Sequence, residues 1–262
     1  MRRHLTFSCE GAELAATLDD APGTTGLLIV SGGNEIRSGA HRGMALLASR
    51  LAAAGYPAFR FDRRGIGDSE GENRGFEASG PDIAAAIAAF RAAAPYLTRI
   101  VAFGNCDAAS ALLLHQPLAL DSLILANPWT YESGEDESDA PALPPAAAIR
   151  ARYWSRLKDP ASLLRLLKVE VDVGKLARGL LALGKRKPAA APESLAAQLD
   201  GAMAALPCPA TILLASGDRT AQAFVESCRP GAIPVERLDS ASHSFAGDDA
   251  DWLAKRILAV LD

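Results

Sequence analysis

The sequence predicts an α/β protein, a mostly parallel sheet with helices on both faces, and three observations carry that reading. Short apolar runs at 26–30, 58–62, 100–104 and 122–126 alternate with helical patterns, each giving way to a stretch bearing Gly, Asn, Asp or Pro. Strands covered on both faces need no polar alternation, so such runs read as buried parallel strands. The alternation stops after Asn127-Pro128 and resumes with runs at 210–215 and 234–238, which predicts an insertion late in the sheet. At 100–109 an apolar run passes into an alanine-rich helical pattern through Gly104-Asn105-Cys106-Asp107-Ala108, the outline of a sharp strand-to-helix turn.

Taken in order, 5–8 and 13–18 read as an antiparallel pair turning at Glu10-Gly11, which brings the expected strands to eight. Helices are expected at 41–54, 80–94, 107–115, 220–228 and 249–261. The zone 129–206 differs in composition. It holds an acidic loop at 132–139, a Pro/Ala-rich stretch, and helical segments at 146–157 and 161–183. It is expected to be a helical cap between core segments 1–128 and 207–262. Its leucines suit a hairpin packed on the core. They also suit an acyl-chain tunnel or a surface meeting membrane-linked intermediates, with charges that argue against insertion.

At 262 residues, 49% hydrophobic and 22% charged, the chain suits one domain with a large core. A net charge of −4 gives no reason to expect a nucleic-acid partner, and nothing in the sequence fixes an oligomeric state. Cys9, Cys106, Cys208 and Cys228 are scattered, without a CxxC pair or a histidine cluster. Neither a disulfide framework nor a metal site is expected, and a reducing cytoplasm is the expected location. The first ten residues lack an apolar signal core, and no apolar stretch reaches the roughly 18 residues a membrane span needs.

The candidate chemistry centres on Cys106. Small residues at Gly104 and Ala108 fit a turn whose backbone segments crowd together, leaving the middle side chain exposed at a helix N-terminus. A free cysteine is by default a buried, inert hydrophobe. The strand-turn-helix setting makes it instead a candidate nucleophile whose thiolate a helix N-terminus or an imidazolium would favour. Asp107 is the rival nucleophile, but that register puts Asn105 where a very small residue is wanted. With Cys106 attacking, the Asp107 backbone N–H becomes an oxyanion donor.

A thiol nucleophile needs a base and a group that orients it. Asp218 follows the strand at 210–215 and His243 follows the strand at 234–238, so both fall at the same sheet edge as Cys106. Asp218 alone suits a helix cap and His243 an ordinary loop. The order nucleophile, acid, histidine joins them as a triad, with His243 moving the proton and Asp218 holding its tautomer. Gly32-Gly33 after the strand at 26–30 lets backbone approach a reacting carbonyl, which makes the amide of Gly33 or Asn34 the expected second oxyanion donor. Glu35, Arg37 and His41 are polar groups near the expected mouth, suited either to substrate recognition or to a structural lock. Asp62-Arg63-Arg64-Gly65-Ile66-Gly67-Asp68-Ser69 lacks the Lys-Ser/Thr ending of a phosphate loop, so its glycines read as turns and its charges as satisfying buried groups.

With Ser31-Gly32-Gly33, Asp62-x-Arg64-Gly65-x-Gly67-x-Ser69, Gly104-x-Cys106-x-Ala108, Gly217-Asp218 and His243 assembled, the chain resembles the α/β-hydrolase superfamily over its whole length. The segments 32–42 and 104–108 further resemble the exosortase A system-associated hydrolase, type 1, a subgroup accompanying bacterial exopolysaccharide and protein-sorting loci. The resemblance implies an eight-stranded α/β-hydrolase fold and, with cysteine replacing the commoner serine as in dienelactone-hydrolase-like members, attack on an ester, thioester or lactone carbonyl without a cofactor. The resulting acyl-enzyme would pass its acyl group to water or to another acceptor. A degenerate hydrolase fold kept as a binding factor is the non-enzymatic alternative.

Overall fold

One sheet gathers β1 (Arg2–Cys9), β2 (Ala12–Asp19), β3 (Thr25–Val30), β4 (Ala58–Phe61), β5 (Arg99–Asn105), β6 (Ser122–Ala126), β7 (Ala210–Ala215) and β8 (Val235–Leu238). Their spatial order is β1-β2-β4-β3-β5-β6-β7-β8. The coordinates are a computed structural model describing residues 1–131 and 194–262. The expected acidic loop and the cap helices at 146–157 and 161–183 lie outside the described residues. β2 runs antiparallel to β1 and β4, and the other pairings are parallel. Cys9 pairs with Ala12, leaving Glu10 (φ 47°) and Gly11 (φ 87°) as a two-residue turn whose positive φ values match the strand twist.

The helices are α1 (Gly43–Ala53), α2 (Gly80–Ala93), α3 (Asp107–Leu114), α4 (Leu195–Ala204), α5 (Arg219–Ser227) and α6 (Asp249–Leu261). α4 was not expected from the sequence. Its cues were Ser194, whose side chain accepts from the Ala197 N–H at 3.3 Å, and buried Leu195, Leu199 and Met203 spaced four apart. The core divides by the period-two rule of strands. Leu28, Val30, Ile100, Ala102, Leu123 and Leu125 meet α2, α3, α4 and α5 on one face. Leu27, Ile29, Val101, Phe103 and Ile124 meet α1 and α6 on the other. Both faces are therefore covered, as continuous apolar runs require.

The topology also says where a site belongs. From β3 the chain moves to β4 on one side, then returns to place β5 on the other. At such a switch point the loops after the two strands diverge and leave a crevice at their C-terminal ends. The loops after β3 and β5 carry Gly32-Gly33 and Cys106. Among the described residues no helix is long and apolar enough to cross a membrane, and no His/Cys/Asp/Glu group is placed to hold a metal ion.

Candidate active site

Cys106 sits between β5 and α3 with φ 63° and ψ −129°, a conformation an L side chain holds only when its surroundings enforce it. The enforcement is visible. Its N–H donates to the Ala126 carbonyl at 3.0 Å, and its own carbonyl accepts from the Trp129 N–H at 3.2 Å. Gly104 must lack a side chain, because a Cβ there would lie 2.7 Å from the Ala108 carbonyl carbon. Ser110 Oγ secures the same corner by donating to the Trp129 carbonyl at 2.7 Å. Burial pushes the thiols of Cys9 and Cys228 up to about 11 and about 12, the inert state of a structural cysteine. Cys106 is instead half-exposed.

His243 comes from the loop after β8, with Nδ1 3.1 Å from Asp218 Oδ2. The hydrogen bond to Asp218, then that to the Cys106 side chain, pushes its pKa up to about 10, against partial burial acting the other way. With Nδ1 on the carboxylate, the second ring nitrogen is left for the sulfur. Asp218 does two jobs. Its Oδ2 also accepts from the Ala221 N–H at 3.1 Å, capping α5, so the cap and the imidazole partner are one buried carboxylate. Three residues far apart in sequence thus meet at one edge of the sheet.

The loop carrying His243 is held by two amides that sequence reasoning missed. Asn105 Nδ2 and Asn127 Nδ2 each donate to the His243 carbonyl at 3.1 Å, and Asn127 Oδ1 accepts from the Ala215 N–H at 2.9 Å. Asn127 is fully buried and carries φ 41°. Its position, immediately after β6 and before Pro128, was the available signal. Tyr131 was also missed; its hydroxyl donates to the Arg219 carbonyl at 3.3 Å, and burial raises its pKa, with Asp218 and Cys106 charges adding to the rise.

The oxyanion side is arranged differently from expectation. Asp107 opens α3, where a helix leaves its first N–H groups without intrahelical partners. Gly32 packs on the elbow so closely that a Cβ would lie 2.5 Å from the Asn105 carbonyl oxygen and 3.4 Å from Cys106 Cβ. The Gly33 N–H, expected to face a reacting carbonyl, donates instead to Asp107 Oδ1 at 2.6 Å. Asn34 is exposed, and its side-chain oxygen accepts from Asn73 Nδ2 at 2.9 Å.

Of the three mouth residues, Arg37 is taken up by structure. Its guanidinium bonds buried Asp62, Asp68 and the Thr17 hydroxyl, so it offers substrate little. Glu35 folds its own loop by accepting from the Ala40 N–H at 3.3 Å, and His41 is exposed beside it. The 62–69 segment behaves as its composition suggested. Asp62 accepts from the Asp68 N–H at 3.1 Å, Gly67 is needed because a Cβ would lie 2.4 Å from Asp62 Oδ2, and the Arg64 N–H donates to Asp82 Oδ2 at 3.0 Å.

Comparison with solved structures returns the same architecture. An esterase of Pyrococcus furiosus aligns with a TM-score of 0.64 and 15% identity, over 100% of this chain and 90% of that one. The α/β-hydrolase GrgF of Penicillium sp. sh18 gives 0.63 and 17%, over 100% and 98%. An esterase of Exiguobacterium antarcticum gives 0.59 and 14%, over 99% of each chain. At these identities the likeness is one of fold. No curated protein shows a significant sequence match. The family model described as "Alpha/beta hydrolase family" matches residues 27–256, from β3 into α6, and the chain belongs to that family.

Proposed function

We propose that this protein hydrolyses an acyl ester or thioester, with Cys106 as nucleophile, His243 as its base and Asp218 orienting the imidazole. The observation that carries this reading is His243 itself, its Nδ1 on a buried carboxylate and its pKa pushed up by that carboxylate and then by the Cys106 side chain at the tip of a strained turn. In the first step a sulfur lone pair forms the S–C bond, the carbonyl π pair moves to oxygen, and the thiol proton resides on His243. Collapse re-forms C=O and expels the alcohol or thiol, which takes that proton. Water then attacks the thioester, giving its proton to His243, and the acid leaves as the proton returns to sulfur. The Asp107 N–H supports the oxyanion in both halves; losing one such donor costs roughly 3 kcal/mol in a comparable site.

Within this reading, 129–206 is an insertion between two parts of one hydrolase core. The resemblance of 32–42 and 104–108 to the exosortase-associated subgroup supports a cytoplasmic role in exopolysaccharide metabolism, to be tested by loss of exopolysaccharide in a strain carrying Cys106→Ala. The direct test is intact-protein mass spectrometry after brief exposure to activated acyl esters and thioesters of graded length. One acyl adduct on wild type, absent from Cys106→Ala, is expected. Its decay in water, compared with decay in added alcohols, separates hydrolysis from acyl transfer. An adduct that persists in the variant would refute the assignment.

A further inference from the structure

Arg63 is a buried cation that touches Asp107, the neighbour of Cys106, and that the triad does not use. Its side chain is only 4% exposed, yet among the described residues its Nε and Nη1 have no hydrogen-bond partner. Leaving such N–H groups unmatched is costly, so an acceptor within reach is expected. Nη2 already touches two groups, the Gly33 carbonyl and, at 3.4 Å, Asp107 Oδ2. On its other side lie Arg64, Glu72, Asn73, Arg74 and Asp82, and among the described residues none of them bonds Nε or Nη1. Asp107 is the acceptor at hand.

Asp107 is engaged elsewhere. Its Oδ1 takes the Gly33 N–H at 2.6 Å, and Gly32 leaves room for that oxygen, since a Cβ there would lie 3.0 Å from it. One N–H carries one hydrogen. While the carboxylate holds it, a substrate oxyanion cannot, and a carboxylate beside the nucleophile also repels the charge the reaction develops on oxygen. We propose that Arg63 and Asp107 are a positioning pair that controls the second oxyanion donor. With the carboxylate on Gly33 the donor is closed. When the carboxylate moves onto Arg63, shortening the 3.4 Å contact at Nη2 to an ordinary charged hydrogen bond and bringing its other oxygen to one of the two unpartnered nitrogens beside it, the donor opens. Arg63 also keeps the loop in register through the Gly33 carbonyl.

The inference rests on Cys106 being the nucleophile, and the experiment separates the two. Two reactions of the full chain are compared: acylation by p-nitrophenyl acetate, which builds an oxyanion, and alkylation by iodoacetamide, which does not. The readout is the ratio of their rates. Asp107→Ala removes the closing group, so the ratio should rise about tenfold or more. Arg63→Met strands the carboxylate on Gly33, so the ratio should fall by about tenfold, and adding Asp107→Ala should abolish that fall. Independent structural damage would instead make the double variant the worst of the three. An unchanged or lower ratio in Asp107→Ala overturns the pairing, and if that variant does not fold, an unchanged ratio in Arg63→Met does so. An acetyl label that persists in Cys106→Ala would bring down the nucleophile assignment, and this inference with it; acetyl label confined to Cys106, with unmoved ratios of acylation to alkylation at that residue, brings down only the pairing.

Discussion

Asp218 joins a structural and a chemical role in one carboxylate, and substitution can part them. Asparagine caps helices about as well as aspartate, so Asp218→Asn should keep the bond to the Ala221 N–H while removing the charge beside His243. Asp218→Ala removes both. The Asp218 hydrogen bond is the largest reason His243 titrates near 10 rather than 6.5, so in the asparagine variant the ring should titrate clearly lower than in wild type. Acylation of Cys106 should fall by two or more orders of magnitude, since a neutral amide no longer stabilises the imidazolium that forms when His243 takes the thiol proton. Stability tells the other half. The alanine variant loses about 1 kcal/mol of capping relative to asparagine, or about 2–4 °C in melting temperature for a chain of this size. NMR titration of the four histidines, with His243→Gln assigning the resonance, reads the first quantity, and thermal unfolding reads the second. A ring still titrating near 10 in Asp218→Asn would refute the electrostatic argument, and equal melting temperatures for the two variants would refute the capping argument.

Three other outcomes are expected. Gly104→Ala forces a Cβ to within 2.7 Å of the α3 backbone, so the elbow must open by several tenths of an ångström; acylation should drop about 100-fold, with a stability loss of about 1–3 kcal/mol measured by urea unfolding. Asn127→Ala strips a partner from the Ala215 N–H and from the His243 carbonyl; a loss of about 2–4 kcal/mol in urea unfolding is expected, with slower acylation and slower alkylation of Cys106 together. Stability of wild type relative to His243→Gln should be greatest below pH 6.5 and vanish as pH rises through about 10, because between those values the folded chain binds a proton the unfolded chain has released. Partial exposure of His243 will keep that difference small, and a difference that grows with pH would contradict the raised value.

The sequence by itself determined the strands, most of the helices and the strand-to-helix turn at 104–108, because each is a local signal: apolar runs, helical spacing, and glycine where backbone crowds backbone. It also placed Cys106, Asp218 and His243 at one sheet edge, since loops after parallel strands gather there whatever their separation in sequence. α4 escaped because its spacing is carried by three apolar residues among alanines, inside a zone whose composition pointed to other helices. What the tertiary structure alone decided are pairings between distant polar groups, which leave no period in a sequence. Arg37 meets Asp62 and not a substrate, Asn127 reaches the His243 carbonyl, and the Gly33 N–H lies against Asp107, 74 residues away. A hydrogen bond requires atoms within about 3 Å, and across such separations only the packed sheet sets distances that finely.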